Sequence, residues 1–287
     1  MILSAPVAAV IASRFSCRSY APEEIPEDKR RTLRQAAEGT RAGPLGSSLR
    51  FRLAAAAADD EAALRGLGTY GFIRHPGGFI VGAGRPGGNW LEDYGYALEE
   101  LVLLATDLGL GSCWLGGSFT RGSFSRRIDL AAGEAIPAVI SLGVIADPAA
   151  ARAGALRRLV AGDRRRPWEE LFFDGTVGVP LSREAAGPFA TALDMVRLAP
   201  SASNKQPWRI VRSPGAWRLY LARTPGYGGG LAGKLLGIAD IQRLDMGIAM
   251  CHFELTAREL GLPGRWVHSP EPPEAGSRAE YVVSWEV

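Results

Sequence analysis

The stretch that decides the fold occurs twice in the chain. Residues 93–114 read DYGYALEELVLLATDLGLGSCW and residues 245–266 read DMGIAMCHFELTARELGLPGRW, and the two align without a gap. At an offset of 152 residues, the alignment keeps an Asp, a Gly, a Leu-Gly-Leu and a final Trp in register. Two Ala- and Leu-rich helices could share aliphatic residues by chance, but not these positions as well. We therefore predict that the chain holds two tandem copies of one fold.

Each repeated segment has the pattern of a buried helix, since small and aliphatic residues surround it and Leu-Gly-Leu puts glycine where helices commonly end. Further helices are expected to begin near Pro26 and Leu181, and a strand is expected to follow Trp114. Other strand patterns lie at Leu49–Leu53, Gly78–Gly82, Ala138–Ile145, Pro207–Val211, Ala216–Ala222 and Tyr281–Val287. Because helices and strands do not alternate strictly, we predict an α+β fold, with copy one over 1–175 and copy two over 176–287.

The composition is that of a globular protein. Of the 287 residues, 47% are apolar and 22% are charged, which is enough for a full core and argues against disorder. The formal net charge of +3 is too small to indicate a nucleic-acid partner. The longest apolar run, Ala97–Leu110, is shorter than the roughly 20 residues of a membrane span, and the N-terminus lacks a signal-peptide pattern. We expect a cytoplasmic protein that binds neither nucleic acid nor membrane.

The reactive side chains do not form a known catalytic or metal motif. Cys17, Cys113 and Cys251 are widely spaced, with no CxxC pair, and the three histidines lack metal-ligand spacing. GxSxG and HExxH are both missing from the sequence. We therefore expect no metal, no disulfide framework and no catalytic nucleophile among the side chains.

The first candidate binding motif is RFSCRSY at residues 14–20. In an extended backbone, alternate side chains share a side, so Arg14, Ser16 and Arg18 would converge. Two guanidinium groups and a hydroxyl suit a phosphate. A solvated basic edge after an N-terminal helix explains the same residues.

The second candidate is LAPSASNKQPW at residues 198–208. Pro200 disfavours a helical conformation for Ala199, so the preceding helix should end there. The loop then offers Asn204 and Gln206, whose amides both donate and accept hydrogen bonds and can match the edge of a heterocycle. An ordinary polar turn is the alternative.

Two glycine-rich segments have competing interpretations. In GLGSCWLGG, residues 109–117, the final glycines allow a flat ligand to approach the backbone, although a structural turn explains them almost as well. Residues 82–87 match the GxGxxG dinucleotide fingerprint. Pro86 interrupts the place where its helix should start, and Asp107 falls inside a helix and not at a strand end, so we do not favour that interpretation.

The segments at residues 14–20, 108–117 and 199–208 together resemble motifs of the nitroreductase superfamily of FMN enzymes. Arg165–Glu170 also resembles the Arg-containing segment that follows the last strand in that family. The resemblance implies a nitroreductase-like fold, FMN as cofactor and NAD(P)H as co-substrate. Hydride would pass through FMN to a small-molecule acceptor such as a nitroaromatic or quinone, by a ping-pong mechanism. A non-catalytic FMN-binding protein, or another flavin chemistry such as dehalogenation or flavin fragmentation, remains an alternative.

The resemblance also implies the site residues. Those expected at the FMN phosphate and ribityl chain are Arg14, Ser16, Arg18 and Arg165. Those expected along the isoalloxazine ring are Leu115, Gly116, Gly117, Pro200, Ser201, Asn204 and Gln206. The sequence departs from the family pattern at Asp163, which aligns with a basic residue expected just before Arg165, and at Gly116, where some members carry an acid. Tyr70, Phe72 and Phe124 are candidates either for a lid over the flavin or for the core.

The distribution of the motifs between the copies is unusual. Ordinary family members are homodimers with two FMN sites across their interface. Here copy one holds the Arg/Ser motif, but its turn at Thr40–Ser48 lacks the Asn-x-Gln-Pro-Trp pattern, which only copy two retains. The resemblance therefore implies a monomeric intramolecular pseudo-dimer with one composite FMN site; further self-association is the open alternative.

Overall fold

The computed structural model describes residues 2–55, 73–116, 119, 121–147, 164–225, 239–269 and 279–287. The helices in these ranges are α1 Val7–Ser13, α2 Glu27–Ala37, α3 Trp90–Asp107, α4 Arg121–Arg127, α5 Arg183–Ala186, α6 Ala190–Leu198 and α7 Ile241–Glu259. The strands are β1 Gly39–Ala42, β2 Ser48–Ala55, β3 Gly78–Gly84, β4 Leu110–Leu115, β5 Val139–Val144, β6 Phe172–Asp174, β7 Trp208–Ser213, β8 Ala216–Leu221, β9 Arg265–Val267 and β10 Glu280–Glu286. Single 3-10 turns cover Trp168–Glu170, Gly187–Phe189 and Ala202–Asn204.

The strands form two five-stranded sheets with matching topology. Their orders are β1-β2-β3-β5-β4 and β6-β7-β8-β10-β9. In each sheet the last four strands of this order are antiparallel to their neighbours. A long helix follows the middle strand of each sheet and leads to the edge strand: α3 lies between β3 and β4, and α7 lies between β8 and β9. This shared connectivity confirms the α+β fold and the two tandem copies. The wholly antiparallel first sheet also excludes a dinucleotide-binding βαβ unit at the GxGxxG match.

The outer strands differ between the sheets, and the sequence did not reveal either of them. β1 forms an antiparallel hairpin with β2, within the segment expected to be only a turn. β6 pairs in parallel with β7, although its residues precede position 176. A segment assigned to copy one therefore completes the sheet of copy two.

The strand expected after Trp114 begins earlier. α3 ends at Asp107, and Gly109 adopts a φ of 74°, a left-handed conformation that reverses the chain at little cost in glycine. The backbone is consequently extended from Leu110, and Trp114 lies inside β4, opposite Ile140 of β5. The prediction of a separate strand after Trp114 was wrong.

The two copies meet where α3 crosses α7, at the repeated glycines. A Cβ atom on Gly95 would lie 2.2 Å from the carbonyl oxygen of Leu244, and one on Gly247 would lie 2.0 Å from that of Glu92. Since Leu244 and Glu92 are themselves equivalent positions in the repeat, the contact is reciprocal, as across a two-fold axis. Glycine is required at both positions because the backbones touch.

Helix α1 packs over this crossing and contacts both copies. Just before the helix, Ser4 N donates to the Asp107 carboxylate at 2.6 Å. At the first residue of the helix, Val7 N donates to the Glu259 carboxylate at 2.7 Å. These two acids occupy equivalent positions at the ends of α3 and α7. Val10 and Ile11 are buried against both long helices, so α1 fixes where the following segment starts.

Candidate functional site

A cavity of about 350 Å³ lies between the two copies. Its lining comes from the N-terminal segment, the end of β4, the loop after α6 and the first turns of α7. The lining residues are Ser16, Arg18, Trp114, Gly116, Ala138, Pro200, Ser201, Ala202, Ser203, Ile241, Leu244, Asp245 and Ile248. The volume falls within the range of small-molecule and cofactor sites.

The N-terminal segment reaches the cavity as an extended chain. Cys17 N donates to the carbonyl of Ser112 in β4 at 2.8 Å, so the segment runs beside that strand. Phe15 and Cys17 are buried in the core, whereas Arg14, Ser16 and Arg18 are half-buried on the other side. The alternation predicted from the sequence is therefore present. Within the described part of the chain, no carboxylate pairs with the Arg18 guanidinium.

The loop after α6 is tightly constrained. The helix ends at Leu198, one residue before the predicted position, and Pro200 follows the extended Ala199. Ser203, Asn204 and Gln206 all have positive φ values, of 48°, 54° and 50°. Left-handed conformations are costly for serine and glutamine, and such strain is concentrated at functional sites.

The two amides of this loop bind the segment 164–166. Arg165 Nη1 donates to Asn204 Oδ1 at 3.1 Å, and Asn204 Nδ2 donates to the Arg164 carbonyl at 2.8 Å. Gln206 Oε1 accepts from Arg166 N at 2.9 Å. These bonds tie the loop to the chain that leads to β6, so the amides and Arg165 stabilise the loop beside the cavity.

The predicted site residues fall into three groups. Those that line the cavity are Ser16, Arg18, Gly116, Pro200 and Ser201. Those in adjacent positions outside the lining are Arg14, Arg165, Asn204 and Gln206, together with Leu115, whose side chain is in the core. Those outside the described residues are Tyr70, Phe72, Gly117 and Asp163. Phe124 is fully buried, with edge-to-face contacts to Phe79 and Phe119, and is a core residue.

An apolar wall of the cavity escaped prediction. Trp114 comes from β4, and Ile241, Leu244 and Ile248 lie at successive turns on one face of the first half of α7, beside the cavity. The periodicity of the repeat showed a helix buried on all sides, and it gave no reason to expect one open face. Comparison of the two repeats at these positions would have provided the signal, because copy one has different residues there.

A buried pair of polar side chains, Glu99 and His252, fixes the position of the Trp114 indole. The indole Nε1 donates to Glu99 Oε2 at 2.7 Å, and Glu99 Oε1 lies 3.0 Å from His252 Nε2. His252 Nδ1 lies 2.9 Å from the carbonyl of Met195, which only accepts, so this nitrogen carries a proton. Glu99 and His252 are both fully buried and come from different copies. The wall of the cavity is thus fixed by both halves of the chain.

Asp245 is the acidic residue in the lining. Its side chain is buried, and Oδ1 accepts from Ala202 N at 3.0 Å. Oδ2 has no hydrogen-bond partner among the described residues. Burial raises the pKa of Asp245 well above its ordinary value, and the nearby Asp240 adds to this effect.

The equivalent crevice on the other side of the helix crossing has a different lining. The positions of Ile241, Leu244 and Ile248 are taken there by Asn89, Glu92 and Tyr96. Glu92 is fully buried and pairs with Arg243 at 2.5 Å; its burial raises its pKa to about 7, against the opposing effect of that guanidinium. Tyr96 and Leu45 pack against the core of copy two. An ion pair and two large side chains therefore occupy the region that is open in the first crevice.

The described ranges contain neither a membrane-spanning helix nor a cluster of metal-ligating side chains. In the described ranges, no helix combines the length and hydropathy that a membrane span requires. Within the same ranges, no group of three or more His, Cys, Asp or Glu side chains could hold a metal ion.

Comparisons with known proteins address the family and the fold of the chain. Residues 7–257 match the family model described as "Putative TM nitroreductase". The crystal structure of a "putative nitroreductase" from Thermotoga maritima MSB8 matches 100% of this chain and 95% of its own, with 18% identity and a TM-score of 0.62. The similarity therefore extends over both copies and shows the same fold.

Shorter structures match about half of the chain. A nitroreductase family protein from Clostridium novyi NT covers 50% of this chain and 87% of its own, at 20% identity and a TM-score of 0.41. A "putative nitroreductase" from Desulfovibrio desulfuricans in complex with FMN covers 50% and 89%, at 24% identity and 0.39. No curated protein matches the sequence. Because the family model extends over most of both copies, the chain belongs to this nitroreductase family.

Proposed function

We propose that the chain is an oxidoreductase that binds FMN in the cavity between its copies and transfers hydride from NAD(P)H to a nitroaromatic, a quinone or a similar acceptor. The observation that carries the proposal is the composition of the cavity. Ser16 and Arg18 come from copy one, and Pro200 and Ser201 come from copy two. Motifs 182 residues apart, counted from Arg18 to Pro200, thus contribute to one cavity.

Two residues of the cavity lining fit a flavin phosphate. Arg18 supplies a half-buried cation without a carboxylate partner in the described ranges, and Ser16 supplies a hydroxyl beside it. Each charge-assisted hydrogen bond to phosphate contributes about 1.5–3 kcal/mol. Arg14 and Arg165 lie outside the lining, and we propose that they add positive charge from the rim.

The apolar residues of the lining fit a flat aromatic ring. Trp114, Ile241 and Ile248 provide apolar surface, and Gly116 keeps the end of β4 narrow. A Cβ atom at position 116 would lie 3.0 Å from Ile241 Cγ2, so even alanine would crowd this wall. We propose that the backbone beside Gly116 borders the ring and that the loop at 200–206, held by Asn204 and Gln206, borders it from copy two.

When bound, FMN supplies the redox chemistry, accepting hydride from a reduced nicotinamide and passing it to the acceptor. The protein binds the phosphate, orients the ring and excludes water from one ring face. Donor and acceptor must then use the remaining face in turn, which is the basis for a ping-pong mechanism. We further propose that the chain acts as a monomer, since it contains both halves of the site, and that it works in the cytoplasm, where NAD(P)H is available.

Anaerobic reduction of the FMN-loaded protein tests the function. Addition of NADPH or NADH should bleach the flavin absorbance, and a nitroaromatic or quinone should restore it. Steady-state kinetics should give parallel double-reciprocal lines. Flavin that stays oxidised with both nucleotides would favour a non-redox FMN-binding protein, and intersecting lines would exclude the ping-pong order.

A further inference from the structure

The two copies use the same aspartate differently. In copy one, Asp93 accepts the backbone N–H of Leu45 at Oδ1 and that of Ser47 at Oδ2, at 2.7 and 2.8 Å. In copy two, Asp245 occupies the equivalent position of α7, but only Oδ1 is used, by Ala202 N. The second oxygen of Asp245 is left without a partner among the described residues, in the wall of the cavity.

The sequence of the second loop explains the difference. Gln206 N, near the end of the loop, donates at 2.8 Å to the Ser201 hydroxyl and not to the aspartate. In copy two the Ser201 hydroxyl therefore accepts a loop backbone N–H, whereas in copy one the second oxygen of Asp93 accepts such an N–H. The side chain of Asp245 is only 3% exposed, so its open oxygen cannot be compensated by bulk water. A buried polar atom without a partner costs on the order of 1–3 kcal/mol, which a ligand could offset.

We propose that Asp245 is a binding residue that donates a hydrogen bond from Oδ2 to an acceptor atom of the flavin ring. This inference rests on the proposed function and goes beyond it by adding a residue from the helix that the binding motifs do not include. Oδ1 accepts from Ala202 N, so the proton of the neutral carboxyl belongs on Oδ2, and Asp245 is part of the cavity lining.

The surrounding charges favour the neutral carboxyl. Burial and the carboxylate of Asp240 at the start of α7 both raise the pKa of Asp245. The basic residue in the same cavity lining is Arg18, which we assign to the phosphate end. Arg243 is paired with Glu92 of α3, and Glu99 of α3 is paired with His252. The Asp245 donor is consequently present at low pH and is lost as the pH rises through its raised pKa.

The test compares two substitutions of Asp245 by FMN titration of the purified full chain. Asp245→Asn keeps an oxygen for Ala202 N and places a permanent donor at the position of Oδ2, so its Kd should stay within about twofold of wild type. Asp245→Ala removes the donor and should weaken FMN binding roughly three- to tenfold, the range of one neutral hydrogen bond. Asp93→Asn is the matched control, because it disrupts a structural hydrogen bond and should lower Tm without changing Kd.

Two further readouts separate hydrogen bonding from simple packing. The ratio of the wild-type Kd to the Asp245→Asn Kd should increase with pH, because only wild type loses its donor. The flavin midpoint potential should fall in Asp245→Ala and be retained in Asp245→Asn, since a donor stabilises the charge that reduction adds to the ring.

The outcomes distinguish this inference from the proposed function. If wild type binds no FMN, the proposed function fails and the inference fails with it. If wild type binds FMN and Asp245→Ala binds equally well, only the role of Asp245 is overturned. Equal weakening in Asp245→Asn and Asp245→Ala would show that the carboxylate accepts a hydrogen bond, which also contradicts the proposed donor.

Discussion

The two crevices beside the α3–α7 crossing share a framework and differ in what fills it. Both have an aspartate that holds the adjacent loop and a tryptophan in the edge strand. One is lined by Ile241, Leu244 and Ile248 and is open. At the same positions the other has Asn89, Glu92 and Tyr96, which fill space or form an ion pair. The same helix face thus carries apolar cavity-lining residues in one copy, and an ion-paired acid and a core-packed tyrosine in the other.

The repeat also works as an internal control for residue roles. Positions that are the same in both copies, such as Gly95 and Gly247, serve packing and chain direction. Cavity residues such as Arg18 and Ser201 have no counterpart of the same chemistry in the other copy. Substitutions of the first kind should therefore affect the whole molecule, and those of the second kind should affect one crevice.

The largest effect is expected from Gly247→Ala at the helix crossing. The added Cβ would lie 2.0 Å from the Glu92 carbonyl oxygen, so α3 and α7 must separate and both crevices must change. We expect a loss of about 3 kcal/mol in the free energy of unfolding, measured by denaturant titration.

Gly122→Ala is the control for this change, because it lies in α4 with no atom within 4 Å of the added Cβ. It should leave stability unchanged or raise it by up to about 1 kcal/mol. Equal stabilities of the two variants would refute the close backbone contact between the copies.

A smaller and more local effect is expected from Arg18→Ala. Loss of one charge-assisted phosphate contact should weaken FMN binding at least about tenfold, equivalent to about 1.4 kcal/mol, with little change in Tm. Arg31→Ala, an exposed residue of α2, removes the same charge away from the cavity and should leave Kd within about twofold at moderate salt. If the two variants bind FMN equally, Arg18 does not contact the phosphate.

The parts of the fold that depend on local sequence could be predicted. Proline and acidic residues start α2 at Glu27, Ser182 caps α5 through Ala185 N, and Pro200 ends α6. The alternation of Phe15 and Cys17 with their polar neighbours indicated the extended segment beside β4. These features follow from the conformational preferences of a few adjacent residues.

The remaining features depend on contacts between distant parts of the chain. β6 is only three residues long and is defined by its pairing with β7, so no local pattern identifies it. The open oxygen of Asp245 results from a hydrogen bond between Ser201 and Gln206, which the linear sequence does not show. The apolar wall of the cavity looked like core, because a residue beside a ligand and one beside protein can have the same polarity.

Counting the bound flavin is the most direct test of a single composite site. The intact chain should be titrated with FMN by isothermal calorimetry, and flavin released from the loaded protein should be quantified by absorbance. One FMN per chain is expected, because among the described residues of the other crevice Glu92 forms an ion pair with Arg243, and Tyr96 packs against the core of copy two. A stoichiometry of two FMN per chain would contradict this expectation.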